Sequence, residues 1–150
     1  MLESKSSIVM KAKNELIFMV IGALSVATAI LLSAYGAHGL EQIFLETPRK
    51  EKAWGNAVDY QMFHGLALFL LGFIRAKPGN SLLFSVSGWV MMTACILFCL
   101  SIYAWVLGGP ISLIQVTPWG GVLFVVSWVL LAIYAWSNKL NLSKNMEENE

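Results

Sequence analysis

From Pro78 to Asn138 the chain contains not one Asp, Glu, Lys or Arg. A hydrocarbon core of about 30 Å is crossed by about 20 helical residues at 1.5 Å each, so this one stretch is long enough to span a bilayer twice. Composition agrees, with 57% hydrophobic and only 13% charged residues and a mean hydropathy of +0.68. Soluble domains average about 45 to 50% apolar. The chain therefore reads as an integral membrane protein. A net charge of +1, with no basic patch interleaved with aromatics, gives no reason to expect nucleic acid as a partner. Cys95 and Cys99 sit inside an apolar segment, so they imply no disulfide framework.

Four apolar segments can be drawn. The first runs from Leu16 to Ala37 without a charge and follows Lys5, Lys11 and Lys13. Its "AYGA" imitates a signal-peptide cleavage site, but the run exceeds the roughly 7 to 15 residues of a signal core and reads as a retained helix. The second, about 57–74, has a polar entrance carrying Asp59, Tyr60, Gln61 and His64 before the run "GLALFLLGFI". The third, about 82–107, ends at Gly108, Gly109 and Pro110, which do not continue a helix. The fourth, about 118–136, begins behind Thr117 as N-cap, with Pro118 in the first helical position.

The fold class expected is an all-α integral membrane protein, with four transmembrane helices in an antiparallel bundle. An even number of crossings puts both termini on one side with the "RAKPGN" turn. That side holds Lys5, Lys11, Lys13, Arg75, Lys77, Lys139 and Lys144, against Arg49, Lys50 and Lys52 on the other, which favours cytoplasmic N and C termini. Residues 1–15 are then a polar cytoplasmic segment, 16–136 the transmembrane domain and 137–150 a mobile polar cytoplasmic tail. The outer loop, Gly39 to Asn56, has room for a short surface helix or a partner contact.

Ser25, Ala29, Ser33 and Ala37 recur every four residues, a small-residue stripe that lets a second helix approach closely in lipid. Cys95 and Cys99, one turn apart, have no third ligand beside them and read as packing residues. Tyr35, Trp54, Tyr60, Tyr103, Trp105 and Trp119 fall near outer helix ends, with Tyr134 and Trp136 at the inner boundary, as in an aromatic belt. Trp89 and Trp128 sit deeper, in the core or against acyl chains.

The topology gathers His38, Asp59, Tyr60, Gln61, His64, Ser101, Tyr103 and Thr117 toward the outer leaflet. His64 is expected about seven residues, roughly 10 Å, into its helix, where an unpaired imidazolium is costly, so it should be neutral and hydrogen-bonded. Tyr60 and Gln61 precede it by four and three residues and share its face, whereas Asp59 is turned away. Three readings fit: polar stitching of the bundle, a pocket for a lipid headgroup, quinone or solute, and a metal or haem held by His38 and His64.

"YGAHGL" at Tyr35 to Leu40, "WGNAVDYQMFHGLAL" at Trp54 to Leu68, "LFCLSIY" at Leu97 to Tyr103 and "TPWGG" at Thr117 to Gly121 together resemble the YgdD-like small membrane proteins, domain-of-unknown-function family 423. The likeness is ordered and covers roughly residues 20 to 136. Matched residue by residue it carries over Gly36, Ala37, His38, Trp54, Tyr60, Gln61, His64, Ser101, Tyr103, Thr117, Pro118, Gly120 and Gly121. Where the family reads FSGSLY, this chain has Leu100 in place of the glycine, which bears on any helix crossing made there. The resemblance implies a four-helix protein of the bacterial inner membrane with no established catalytic activity.

The function expected is that of a non-enzymatic accessory or structural component, supporting membrane integrity or a larger membrane complex. Its partners are membrane lipids and other membrane-protein subunits, and no cofactor is expected. The alternative is binding or transport of a lipid, quinone or small solute at the outer-leaflet polar cluster.

Overall fold

The computed structural model describes residues 5–74 and 81–147, with side chains over 13–74 and 82–138. The turn bearing Arg75 and Lys77 and the side chains of Lys5, Lys11, Lys139 and Lys144 lie outside the described residues. The elements are α1 (Lys5–Gly39), α2 (Glu41–Glu46), α3 (Pro48–Phe73), α4 (Ser81–Cys95), a π-helical segment (Ile96–Leu100), α5 (Ser101–Val106), a 3₁₀ turn (Ile111–Gln115) and α6 (Thr117–Glu147). Among the described residues all regular structure is helical. Three stretches are long and apolar enough to cross a membrane: Lys13–Gly39, Leu82–Val106 and Ile111–Asn138.

Helix α1 begins eleven residues before the expected Leu16, and the start of the second helix moves by nine. That helix begins at Pro48 rather than near Ala57, with proline at the helix start and Thr47 extended before it at φ −142° and ψ 81°. The charges of "RKEK" read as loop, but lysine, arginine and glutamate are good helix formers and occupy α3's first turns. The loop expected between the first two long helices thereby shrinks to α2 and its flanking residues. The last helix likewise continues past Trp136 to Glu147, because nothing from Ser137 to Glu147 is glycine or proline. At the other end of that hairpin, Gly108 at φ +107° turns the chain after α5.

Helices α1 and α3 run antiparallel and in backbone contact. A Cβ on Gly22 would lie 2.3 Å from the Phe69 backbone nitrogen, and one on Gly72 would lie 2.5 Å from the Glu15 carbonyl oxygen. Gly65 closes the same seam, where an added Cβ would meet the Ser25 side chain at 2.9 Å. Of the expected small-residue stripe, Ala29 is fully buried and Ser25 half-buried, whereas Ser33 and Ala37 are exposed. The closest approach belongs to glycines contributed by both helices.

The second antiparallel pair is α4–π–α5 against α6. Phe84 packs on Tyr134 at one end, and Gly120 seats against the Phe98 backbone at the other, where an added Cβ would lie 2.6 Å from the Phe98 nitrogen. The π segment carries the extra backbone that turns Ser101, Ile102 and Tyr103 all into the core. Leu100 is 57% exposed. The close crossing in this pair is made at Gly120.

Two apolar cores stack along the molecule. One gathers Leu40, Trp54, Ala57, Tyr103, Trp105 and Val106; the other gathers Phe18, Leu68, Phe84, Met91, Phe124 and Tyr134. Trp54, Tyr103, Trp105 and Tyr134 are thus interior packing groups and not members of a lipid-facing belt. Trp119 and Trp136, at 70% and 71% exposure, are placed as belt residues would be. Lys50 donates to the Val106 carbonyl at 3.1 Å and lies 5.7 Å from the Trp105 ring, tying α3 to the end of α5.

Candidate functional site

The polar residues expected in one outer-leaflet cluster occupy separate places. The first is a hydrogen-bond network inside the helix contacts. Gln61 donates from Nε2 to the Ser25 carbonyl at 3.0 Å and to Thr28 Oγ1 at 2.8 Å, while its Oε1 accepts from the Tyr103 hydroxyl at 2.9 Å. One amide thus joins α1, α3 and α5 with both donors and its acceptor engaged. Thr28 passes its own proton back to the Leu24 carbonyl at 2.8 Å. Ser101 and Thr117 share a hydroxyl–hydroxyl bond of 2.7 Å that ties α5 to the start of α6. Thr117 therefore joins two helices, where an N-cap role was expected.

The motif residues around this network are its packing frame. Gly36 leaves room for Trp54, whose indole nitrogen would lie 2.5 Å from a Cβ there. Trp54 donates to the Leu32 carbonyl at 3.0 Å and packs on Tyr103 with ring centres 4.7 Å apart. Tyr103 in turn reaches Gln61. The stretches "YGAHGL", "WGNAV", "YQ" and "SIY" are continuous in space.

His64 lies apart from Gln61, toward α6. Its ring stacks on Phe124 at 3.6 Å between centres, its Nδ1 is 2.7 Å from the Tyr60 carbonyl, and its Nε2 is 3.2 Å from the Trp128 indole nitrogen. The indole N–H only donates and the carbonyl only accepts, so Nδ1 carries the proton and the ring is neutral. Adjacent Gly65 faces Ser25, near the middle of the Lys13–Gly39 stretch, and Phe124 is near the middle of Ile111–Asn138. His64 is therefore at mid-height, deeper than the roughly 10 Å expected, because its helix starts nine residues earlier.

His38 is exposed near the end of α1. It lies thirteen residues beyond Ser25, roughly 20 Å along the helix at 1.5 Å per residue, so the two histidines do not share a ligand. Among the described residues no three His, Cys, Asp or Glu side chains group as a metal site requires. Asp59 is also exposed and faces a crevice of about 470 Å³ lined further by Ser33, Glu41, Glu51 and Gly55.

A groove of about 790 Å³ lies beside His64, walled by Tyr60, Phe63, Phe98, Phe124 and Trp128. Of these, Phe63, Phe98, Phe124 and Trp128 were not anticipated as site residues. The four-residue spacing of Phe124 and Trp128 was visible, but their meeting with α3 depends on tertiary packing.

This is a multi-pass helical membrane protein whose interior polar groups join helices. Comparison gives the family: residues 32–121 match the model of a protein of unknown function, DUF423, and the chain belongs to that family. It is 34% identical over 120 residues to the UPF0382 membrane protein YwdK of Bacillus subtilis, covering 79% of this chain and 95% of that one. It is 37% identical over 117 residues to the UPF0382 membrane protein SAB0533 of Staphylococcus aureus, covering 78% and 93%. No solved structure matches it.

Proposed function

We propose that the chain is a non-enzymatic accessory or structural component of the bacterial inner membrane, crossing it four times with both termini in the cytoplasm. The observation that carries this reading is Gln61, whose amide is fully engaged by Ser25, Thr28 and Tyr103. Among the described residues, moreover, every buried side-chain nitrogen or oxygen has a partner. Polar groups so engaged hold helices together.

The fourth crossing rests on α3. Its 26 residues extend about 39 Å. They pair with the Lys13–Gly39 stretch from Gly72 opposite Met19 to Trp54 opposite Leu32. Its charged first turns then lie beyond the hydrocarbon, where Lys50 meets the end of α5.

Extraction into polymer nanodiscs followed by native mass spectrometry tests the accessory role. A stoichiometric complex with another membrane subunit is expected. A chain found only as a lipid-bound monomer rejects it.

A further inference from the structure

The groove between α3 and α6 combines aromatic walls with a polar group that the protein leaves unpaired. Tyr60 stacks face to face on Phe98 at 4.6 Å and on His64 at 5.7 Å. It is 42% exposed, and among the described residues its hydroxyl has no hydrogen-bond partner. In water such exposure would satisfy the hydroxyl. Tyr60 is one turn from His64, which lies level with the middle of the apolar stretches Lys13–Gly39 and Ile111–Asn138, and with those stretches in a bilayer its surroundings are acyl chains. A phenol held there without an acceptor is as costly as one buried without a partner.

The other polar groups at the groove are already used, since Trp128 donates to His64 and His64 donates to the Tyr60 carbonyl. What the groove lacks is an acceptor. Its walls are flat rings, and Gly121 on its floor leaves space, a Cβ there coming no nearer than 3.8 Å to Phe98. Its volume of about 790 Å³ is in the range of small-molecule sites, about 300 to 1,000 Å³.

We propose that this groove binds a membrane-soluble quinone, its planar ring lying against Phe98 and Phe124 and one carbonyl accepting the Tyr60 hydroxyl in the plane of the phenol. The ligand class follows from the site: a flat ring for the walls, a carbonyl for the phenol, and an apolar tail for the open, lipid-facing side. Binding requires no redox step by the protein and is independent of the accessory role.

The test uses the full chain in phosphatidylcholine nanodiscs titrated with decylubiquinone, which quenches indole fluorescence. A saturable component from Trp128 is expected above a linear background from the exposed indoles of Trp89, Trp119 and Trp136. Tyr60→Phe keeps the ring and should weaken half-saturation by about two- to thirteen-fold, the loss of one hydrogen bond. Gly121→Leu fills the floor and should abolish saturation with the melting temperature kept. Linear quenching identical in the wild type and Tyr60→Phe overturns the proposal, as does saturation undiminished in a folded Gly121→Leu. If Gly121→Leu does not fold, Tyr60→Phe alone decides.

Discussion

Trp128 donates its indole proton to Nε2 of His64 across 3.2 Å, which joins α6 to α3 and fixes which imidazole nitrogen is protonated. Nitrogen-15 NMR of histidine-labelled protein should show His64 with a protonated Nδ1 and a bare Nε2. A proton on Nε2 would mean that the indole bond is absent. A double-mutant cycle with Trp128→Phe and His64→Ala should give a coupling of about 0.6 to 1.7 kcal/mol, the range for polar contacts between membrane helices.

Gln61 joins three helices and Tyr103 contributes one of its bonds, so the two substitutions should differ in a definite order. Gln61→Leu removes three hydrogen bonds and leaves the Tyr103 hydroxyl unpaired. It should destabilise by about 2 to 3 kcal/mol, against about 0.6 to 1 kcal/mol for Tyr103→Phe. Thermal unfolding in detergent measures both. Equal effects would show that Gln61 contributes only through Tyr103.

The glycines of the first hairpin are not equivalent. Gly22→Val inserts a branched side chain where even a Cβ falls 2.3 Å from the Phe69 backbone, and should separate α1 from α3. Gly55, also in α3, has open space around it, with nothing within 4 Å of where an added Cβ would sit. Gly55→Ala should therefore stabilise by about 0.5 to 1 kcal/mol through helix propensity. Melting temperatures moving in opposite directions are the expected result.

The proposed four crossings make a topological prediction. In a background with Cys95 and Cys99 replaced, single cysteines at Glu46 and Ser112 should react with an impermeant maleimide from the periplasmic side. A carboxy-terminal tag should be reachable only from the cytoplasm. Labelling of Glu46 and Ser112 from opposite sides excludes the arrangement.

The elements written in local chemistry were legible in the sequence. The charge-free run from Pro78, the break at Gly108 to Pro110 and the start of the last helix at Thr117–Pro118 all depend on nearby residues. The start of α3 was hidden because "RKEK" serves a loop or a helix end equally well. The π segment was hidden because "ILFCL" contains neither glycine nor proline to mark it. The polar residues were recognised by type, yet their distribution depends on which helices meet. Gln61 turns to α1 and α5, His64 turns to α6, and His38 lies at the end of α1. Trp54 and Tyr103 have the composition of belt aromatics, and only the space that Gly36 clears for the indole brings them inside.

The two antiparallel pairs also bear on how the chain is made. Helix α1 meets α3 and α4 meets α6, so each half closes on contacts made with the neighbouring long helix in sequence. Contacts local in the chain form fast, and the α1–α3 hairpin can zip along its glycines while α6 is still being synthesised. The Gln61–Tyr103 and His64–Trp128 hydrogen bonds run between the halves, so each hairpin has its own seam and these side chains are what fasten one hairpin to the other.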